Sequence, residues 1–324
     1  MNIGIFVPNW VGDAVMALPF INVIRRECPD DRIIIIGRAW VTELFKHHPA
    51  VDEIISLTHS RGPIGTTRAG LNLRKLNLGV TYLLSDSWRC AYLARLFASD
   101  CRIGFRGQWR SALLTRAEYR PRGPLHRSER YLRLIGSPEI GLFNGLAISQ
   151  EESAWGRAEM GNLGLKSPLA VFPSSVAQSR RVPINKWIEI LTNSGRVEKE
   201  VLFFGSDREQ DVAKALTEQL DSAVSICGNY TLRKSVILIS LCEGAIGTDS
   251  GLGHIAANLG LPTLSLFGAG DPAHTAPQGP RAKVVRTGVH CSPCRKNVCG
   301  NWKEPLLCLT SLDAKEVWET YSSL

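Results

Sequence analysis

No uninterrupted apolar stretch in this 324-residue chain approaches the about 20 residues that a bilayer-spanning helix needs. No basic segment precedes the apolar run Asn2–Val7, which therefore reads as a first β-strand and not as a signal peptide. The expected location is cytoplasmic. The fingerprints G-x-G-x-x-G and G-x-x-x-x-G-K-[ST] are absent, which removes the best support for a dinucleotide-binding or P-loop reading. No internal repeat argues for a solenoid. Helix-turn-helix, RNP-like and zinc-finger patterns are missing too, so nucleic acid is not an expected partner despite a formal net charge of +8.

What is present is a soluble globular composition, 44% hydrophobic and 21% charged, long enough for two ordinary domains. Short apolar runs alternate with segments of helical spacing, the pattern of βαβ units and parallel sheets. In the first half the expected strands are Asn2–Pro8, Arg32–Gly37, Glu53–Ser56, Val80–Leu84 and Cys101–Gly104. Helices are expected over Ala14–Glu27, Val41–His47, Arg68–Lys75 and Ser87–Ala98, with a loop over Ser60–Arg68. The second half restarts at Leu169–Phe172, and a helix over Ser311–Tyr321 is expected to pack back on the first half.

Two segments carry the chemistry. Thr248-Asp249-Ser250-Gly251-Leu252-Gly253-His254 follows an apolar run and leads into helical spacing. A strand ending at Asp249 would leave the N–H groups of Ser250, Gly251 and Leu252 at a helix N-terminus, which attracts phosphate. His254, one turn in, can donate to an anion. An ordinary helix N-cap explains the same residues. At the other end, Pro8-Asn9-Trp10-Val11-Gly12-Asp13 is a turn between strand and helix that sets a carboxylate, Asp13, at the junction where a doubly wound domain binds its ligand.

Charge and thiols are both clustered. From Cys101 to Arg133 the positives are Arg102, Arg106, Arg110, Arg116, Arg120, Arg122, Arg127, Arg130 and Arg133, opposed by Glu118 and Glu129. Arginine suits a bidentate grip on phosphate or carboxylate, and a solvated face is the plain alternative. Cys291, Cys294, Cys299 and Cys308 form C-x2-C-x4-C-x8-C. In a cytosolic protein this suggests a structural zinc site before disulfides, although Pro293 and Pro305 also suit a rigid loop without metal.

Taken together, Pro8–Met16, the element Ile103-Gly104-Phe105-Arg106-Gly107-Gln108-Trp109-Arg110 and Asp249–His254 resemble the ADP-heptose:lipopolysaccharide heptosyltransferases, glycosyltransferase family 9. The likeness is greatest to the heptosyltransferase II branch. The resemblance implies a GT-B fold, two Rossmann-like domains facing a central cleft: an acceptor-binding domain over 1–150 with the catalytic base, and a donor domain over 151–324. It implies an inverting transfer of heptose from ADP-L-glycero-D-manno-heptose to heptose I of the lipopolysaccharide inner core, peripheral at the inner membrane and without a cofactor. Heptosyltransferase I, or a relative using another nucleotide sugar, is the nearest alternative; an NAD-dependent oxidoreductase and a non-catalytic nucleotide-sugar or phospholipid-binding module are more distant.

By position, the resemblance makes Asp13 the base. It places the donor phosphates at Ser174, Ser175, Arg180, Asp249, Ser250, Gly251, Leu252 and His254, and the ribose at Glu209. Arg180 stands where the family carries lysine, and Arg181 competes with it. Trp10, Arg106 and Arg110 are assigned to the acceptor. No D-x-D element is present, so cationic side chains and helix N-termini are expected to stabilise the leaving diphosphate without a metal.

Overall fold

In the computed structural model, residues 1–57, 62–137, 145–193 and 200–324 are described. The chain divides into two compact units, Met1–Ala147 and Ile148–Leu324. The first holds a parallel sheet of β1 (Asn2–Phe6), β2 (Arg32–Arg38), β3 (Glu53–Leu57), β4 (Leu78–Leu83), β5 (Cys101–Phe105) and β6 (Arg116–Glu118), in the order β3-β2-β1-β4-β5-β6. The second holds β7 (Leu169–Phe172), β8 (Val201–Phe203), β9 (Ala223–Ser225), β10 (Gly244–Thr248), β11 (Thr263–Phe267) and β12 (Ala282–Arg286). Its order is β12-β11-β10-β7-β8-β9, the same doubly wound pattern read from the other edge. In such sheets ligands gather beyond the strands' carboxyl ends where the order reverses. Here that is between β1 and β4, and between β7 and β10.

Strands covered on both faces read as unbroken apolar runs. Ile33, Ile34, Ile35 and Ile36 are all fully buried, as are Ala170 and Val171 on β7. The edge strands Arg116–Glu118 and Ala282–Arg286 escape a reading based on apolar runs, because the first has three residues and the second breaks its apolar residues with Lys283 and Arg286.

The helices depart from expectation in several places. The segment after β1 is two helices, Val11–Val15 and Leu18–Glu27. Pro19 lies in the first turn of the second helix, where its missing N–H is tolerated, and cannot continue the first. The earlier start puts Asp13 inside a first turn instead of at its edge. Gly62–Asn72 is helical where a loop was expected over Ser60–Arg68; Ser60 and Arg61 lie outside the described residues. Pro63 suits a first turn, and Thr67 is held by a 3.0 Å hydrogen bond between its hydroxyl and that of Tyr92. Helices over Arg127–Leu132 and Gln150–Asn162 were not expected at all. The second carried a readable signal, since Ser149 and Glu152 form a capping box.

The C-terminal helix, Ala314–Ser322, uses its apolar face within its own unit. Val317, Trp318 and Tyr321 join a core with Trp187, Ile190 and Leu191, and Trp318 Nε1 donates to the Ile190 carbonyl at 2.5 Å. No helix among the described residues is long and apolar enough to cross a membrane.

Candidate functional site

At the carboxyl ends of β7 and β10, several of the residues expected to bind the donor lie together, Ser174, Ser175, Arg180 and Asp249 among them. The two strand ends are stitched side by side: the Thr248 hydroxyl donates to the Ser174 carbonyl at 2.9 Å, and the Ser175 hydroxyl donates to the Asp249 carbonyl at 3.0 Å. Trp187 Nε1 fixes the same edge by donating to the Pro173 carbonyl at 2.8 Å. With its proton committed, Ser175 can offer a ligand only lone pairs until that bond is exchanged.

Ser250 is the N-cap of the helix Gly251–Asn258, with extended backbone and no side-chain cap. Its buried hydroxyl finds no hydrogen-bond partner among the described residues, an unusual state for a buried polar group. Gly251 and Leu252 open the helix, and His254 is buried one turn in.

Arg180 and Asp249 form the charged pair of this crevice, with Nη1 3.0 Å from Oδ2. The contact lacks hydrogen-bond geometry at Oδ2, and Arg180 Nε is also buried without a partner. Burial pushes the Asp249 carboxyl up to about 6, against the pull of Arg180. Gly270 leaves room for it, since a Cβ there would lie 2.0 Å from Oδ2. Arg181 points elsewhere: its Nε donates to the Ser175 carbonyl at 2.8 Å and its Nη2 to the Val176 carbonyl at 3.2 Å. Of the two neighbouring arginines, Arg180 is therefore the one available to an anion.

Glu209 belongs to a capping box. Its Oε2 accepts from the Ser206 N–H at 2.8 Å and from the Ser206 hydroxyl at 2.6 Å. That structural duty was the alternative to ribose binding, and a ligand would have to share this carboxylate.

In the first unit, Asp13 meets a partner that sequence reasoning missed. Arg127 Nη1 lies 3.2 Å from Asp13 Oδ2, and the two side chains are 32% and 19% exposed. Burial opposes the charge on Arg127, but Asp13 and Tyr131 outweigh it and raise the guanidinium's pKa. Tyr131 is buried behind the pair, its phenol pushed up by desolvation and then by Asp13. The side chain of Trp10, N-cap of the Asp13 helix, is left 64% exposed.

Arg110 is not an exposed acceptor contact. It is completely buried and spans three partners: Nε donates to the Phe105 carbonyl at 2.8 Å, Nη1 to the Ser85 carbonyl at 2.5 Å, and Nη2 reaches Asp86 Oδ1 at 3.3 Å. Burial pulls its pKa down while Asp86 opposes. This corrects the assignment to the acceptor: Arg110 braces the ends of β4 and β5. Arg106 stays exposed, its guanidinium 4.0 Å from the Tyr119 ring centroid and donating to the Tyr119 hydroxyl at 2.9 Å.

The cysteine cluster does not take a metal-binding form. Among the described residues no group of three or more His, Cys, Asp or Glu is arranged to hold an ion. Cys308 is packed in the second unit's core, its thiol pushed up to about 11 by burial and by neighbouring Cys291, Cys294 and Cys299. Cys294 is exposed.

Known proteins place this arrangement. The chain is 28% identical over 314 residues to lipopolysaccharide heptosyltransferase 2 of Escherichia coli, covering 90% of each chain. Against lipopolysaccharide heptosyltransferase 2 of Salmonella typhimurium it is 28% identical over 317 residues, again 90% of each. Its fold matches the structure of Escherichia coli ADP-heptose lipopolysaccharide heptosyltransferase II, with a TM-score of 0.82 at 23% identity over 100% of this chain and 98% of that one. A family 9 glycosyltransferase from Veillonella parvula gives 0.85 at 19% identity over 99% and 96%. The two six-stranded parallel sheets are thus those of the GT-B glycosyltransferases. Residues 67–303 match the profile of glycosyltransferase family 9 (heptosyltransferase), and the chain belongs to that family.

Proposed function

We propose that this enzyme is a heptosyltransferase II: it moves heptose from ADP-L-glycero-D-manno-heptose to the first heptose of the lipopolysaccharide inner core, with inversion. The second unit would bind the donor and the first the acceptor, at the cytoplasmic face of the inner membrane. Asp13 takes the proton of the attacking hydroxyl. As the new glycosidic bond forms, the bond from the sugar's anomeric carbon to the β-phosphate oxygen breaks and ADP leaves. Its developing charge meets Arg180, the N–H groups of Ser250, Gly251 and Leu252, and His254, which supply the stabilisation a metal gives in other transferases.

The observation that carries this reading is the open polar chemistry at the second switch point. Among the described residues Arg180 Nε and the Ser250 hydroxyl are buried there without partners, beside a helix N-terminus. Purified protein, ADP-heptose and an inner-core acceptor bearing one heptose should yield ADP and a product heavier by one heptose, with or without EDTA. Transfer only to an acceptor lacking heptose would favour heptosyltransferase I, and loss on chelation with recovery on adding Mg²⁺ would reject the metal-free mechanism.

A further inference from the structure

The loop after β5 is held in a disfavoured conformation. Gly107, Gln108 and Trp109 all have positive φ, at 145°, 49° and 58°. Gly107 adopts this freely, whereas two consecutive residues with a Cβ rarely do, and a bulky aromatic there is a true outlier. Such strain persists only where surrounding contacts over-determine it, and it concentrates where a ligand is met. The contacts are present. The Arg110 N–H closes the turn on the Gly107 carbonyl at 3.0 Å, and its buried guanidinium ties the turn to Ser85 and Asp86. Arg120 Nη2 reaches the other Asp86 oxygen at 2.9 Å.

What this bracing produces is an indole that is 95% exposed. Three other exposed aromatics after the strands of this sheet are engaged. Arg38 covers Trp40, Arg106 covers Tyr119, and Trp88 stacks on Tyr92 with centroids 5.1 Å apart. Among the described residues Trp109 makes no ring contact, hydrogen bond or ion pair. Its turn stands on Asp86, whose charge also acts on Arg127, the partner of Asp13.

We propose that Trp109 contacts the acceptor, presenting an indole face on which a sugar ring of the acceptor saccharide stacks. The inference rests on the first unit's holding the acceptor. A sugar is the occupant favoured because the turn is rigid and strained. A turn braced in one place serves stereochemical contact with a saccharide, whereas a bilayer surface demands no fixed placement.

Trp109→Ala and Trp109→Phe should be assayed on a soluble, deacylated inner-core acceptor, with ADP affinity, melting temperature and elution volume measured alongside. Trp109→Ala should raise the acceptor KM about five- to tenfold, the scale of one aromatic contact. ADP affinity, elution volume and melting temperature should hold, and Trp109→Phe should recover most of the loss. An unchanged KM in an active Trp109→Ala variant overturns the inference while leaving the proposed function standing. So does a loss confined to sedimentation with sugar-free anionic vesicles, or a change of oligomeric state. Wild-type protein that transfers nothing to this acceptor overturns both.

Discussion

Asp13 and Arg127, 114 residues apart in the chain, meet through a 3.2 Å contact between Oδ2 and Nη1. The arginine holds one oxygen of the carboxylate and so restrains how the group points. Asp13→Asn should keep its fold and its ADP affinity and lose about 10²–10⁴ in turnover, the usual range for a removed general base. Arg127→Met should cost less, about tenfold in turnover, because the base remains but loses its fixed orientation. Stopped assays on both variants decide the assignment, which near wild-type turnover in Asp13→Asn would sink.

Arg106 and Arg110 should separate cleanly. Arg110→Ala strands the Phe105 and Ser85 carbonyls and opens a cavity, so urea unfolding should show a loss of about 3 kcal/mol or more. Arg106→Ala removes an exposed guanidinium over Tyr119, a stability change of about 1 kcal/mol or less. Its effect should fall on the acceptor KM. Equal destabilisation by the two substitutions would refute the division.

Asp249 titrates about two units above a free aspartate, from 3.8 to about 6. Between those values the native state holds a proton that the unfolded state has lost, so this group's contribution to stability falls as pH rises from about 4 to 6 and is flat above. Above pH 6 the buried charge costs on the order of 3 kcal/mol. An incoming diphosphate favours the protonated carboxyl still more. ADP binding near pH 6 to 7 should therefore take up more protons in wild type than in Asp249→Asn, as read by calorimetry in buffers of different ionisation enthalpy. Identical proton uptake in the two proteins would refute the shift.

The thiols should differ sharply in reactivity. Burial pushes Cys227 and Cys308 to about 11 and Cys242 further, which starves them of thiolate, while Cys294 is exposed. Brief iodoacetamide treatment of native protein followed by peptide mapping should find Cys294 modified first. Labelling of Cys242 or Cys308 at the same rate would contradict the packing described.

That Ser174, Ser175, Asp249 and Ser250 lie together was legible from sequence because the elements that carry them are local. Asp249 to His254 is one strand–turn–helix, and Ser174 and Ser175 mark the end of another strand, so a parallel sheet had only to set them side by side. Arg127 was illegible because it was one of nine arginines in a basic stretch, and nothing local says which of them reaches Asp13. Arg110 was misread for a related reason: burial of a cation depends on carbonyls supplied by two separate loops. The helix over Gly62–Asn72 defied its glycines and threonines because packing outweighs propensity.

Among the described residues every strand pairing lies within one unit or the other, so each core can close once its own segments are made. The first sheet has its last strand once Glu118 is made, well before the ribosome reaches the second. The second core waits for Val317, Trp318 and Tyr321, since their helix covers Trp187 and Ile190. Part of that apolar core therefore stays uncovered until this helix is made, which should leave the nascent second half the more exposed to chaperone binding and aggregation.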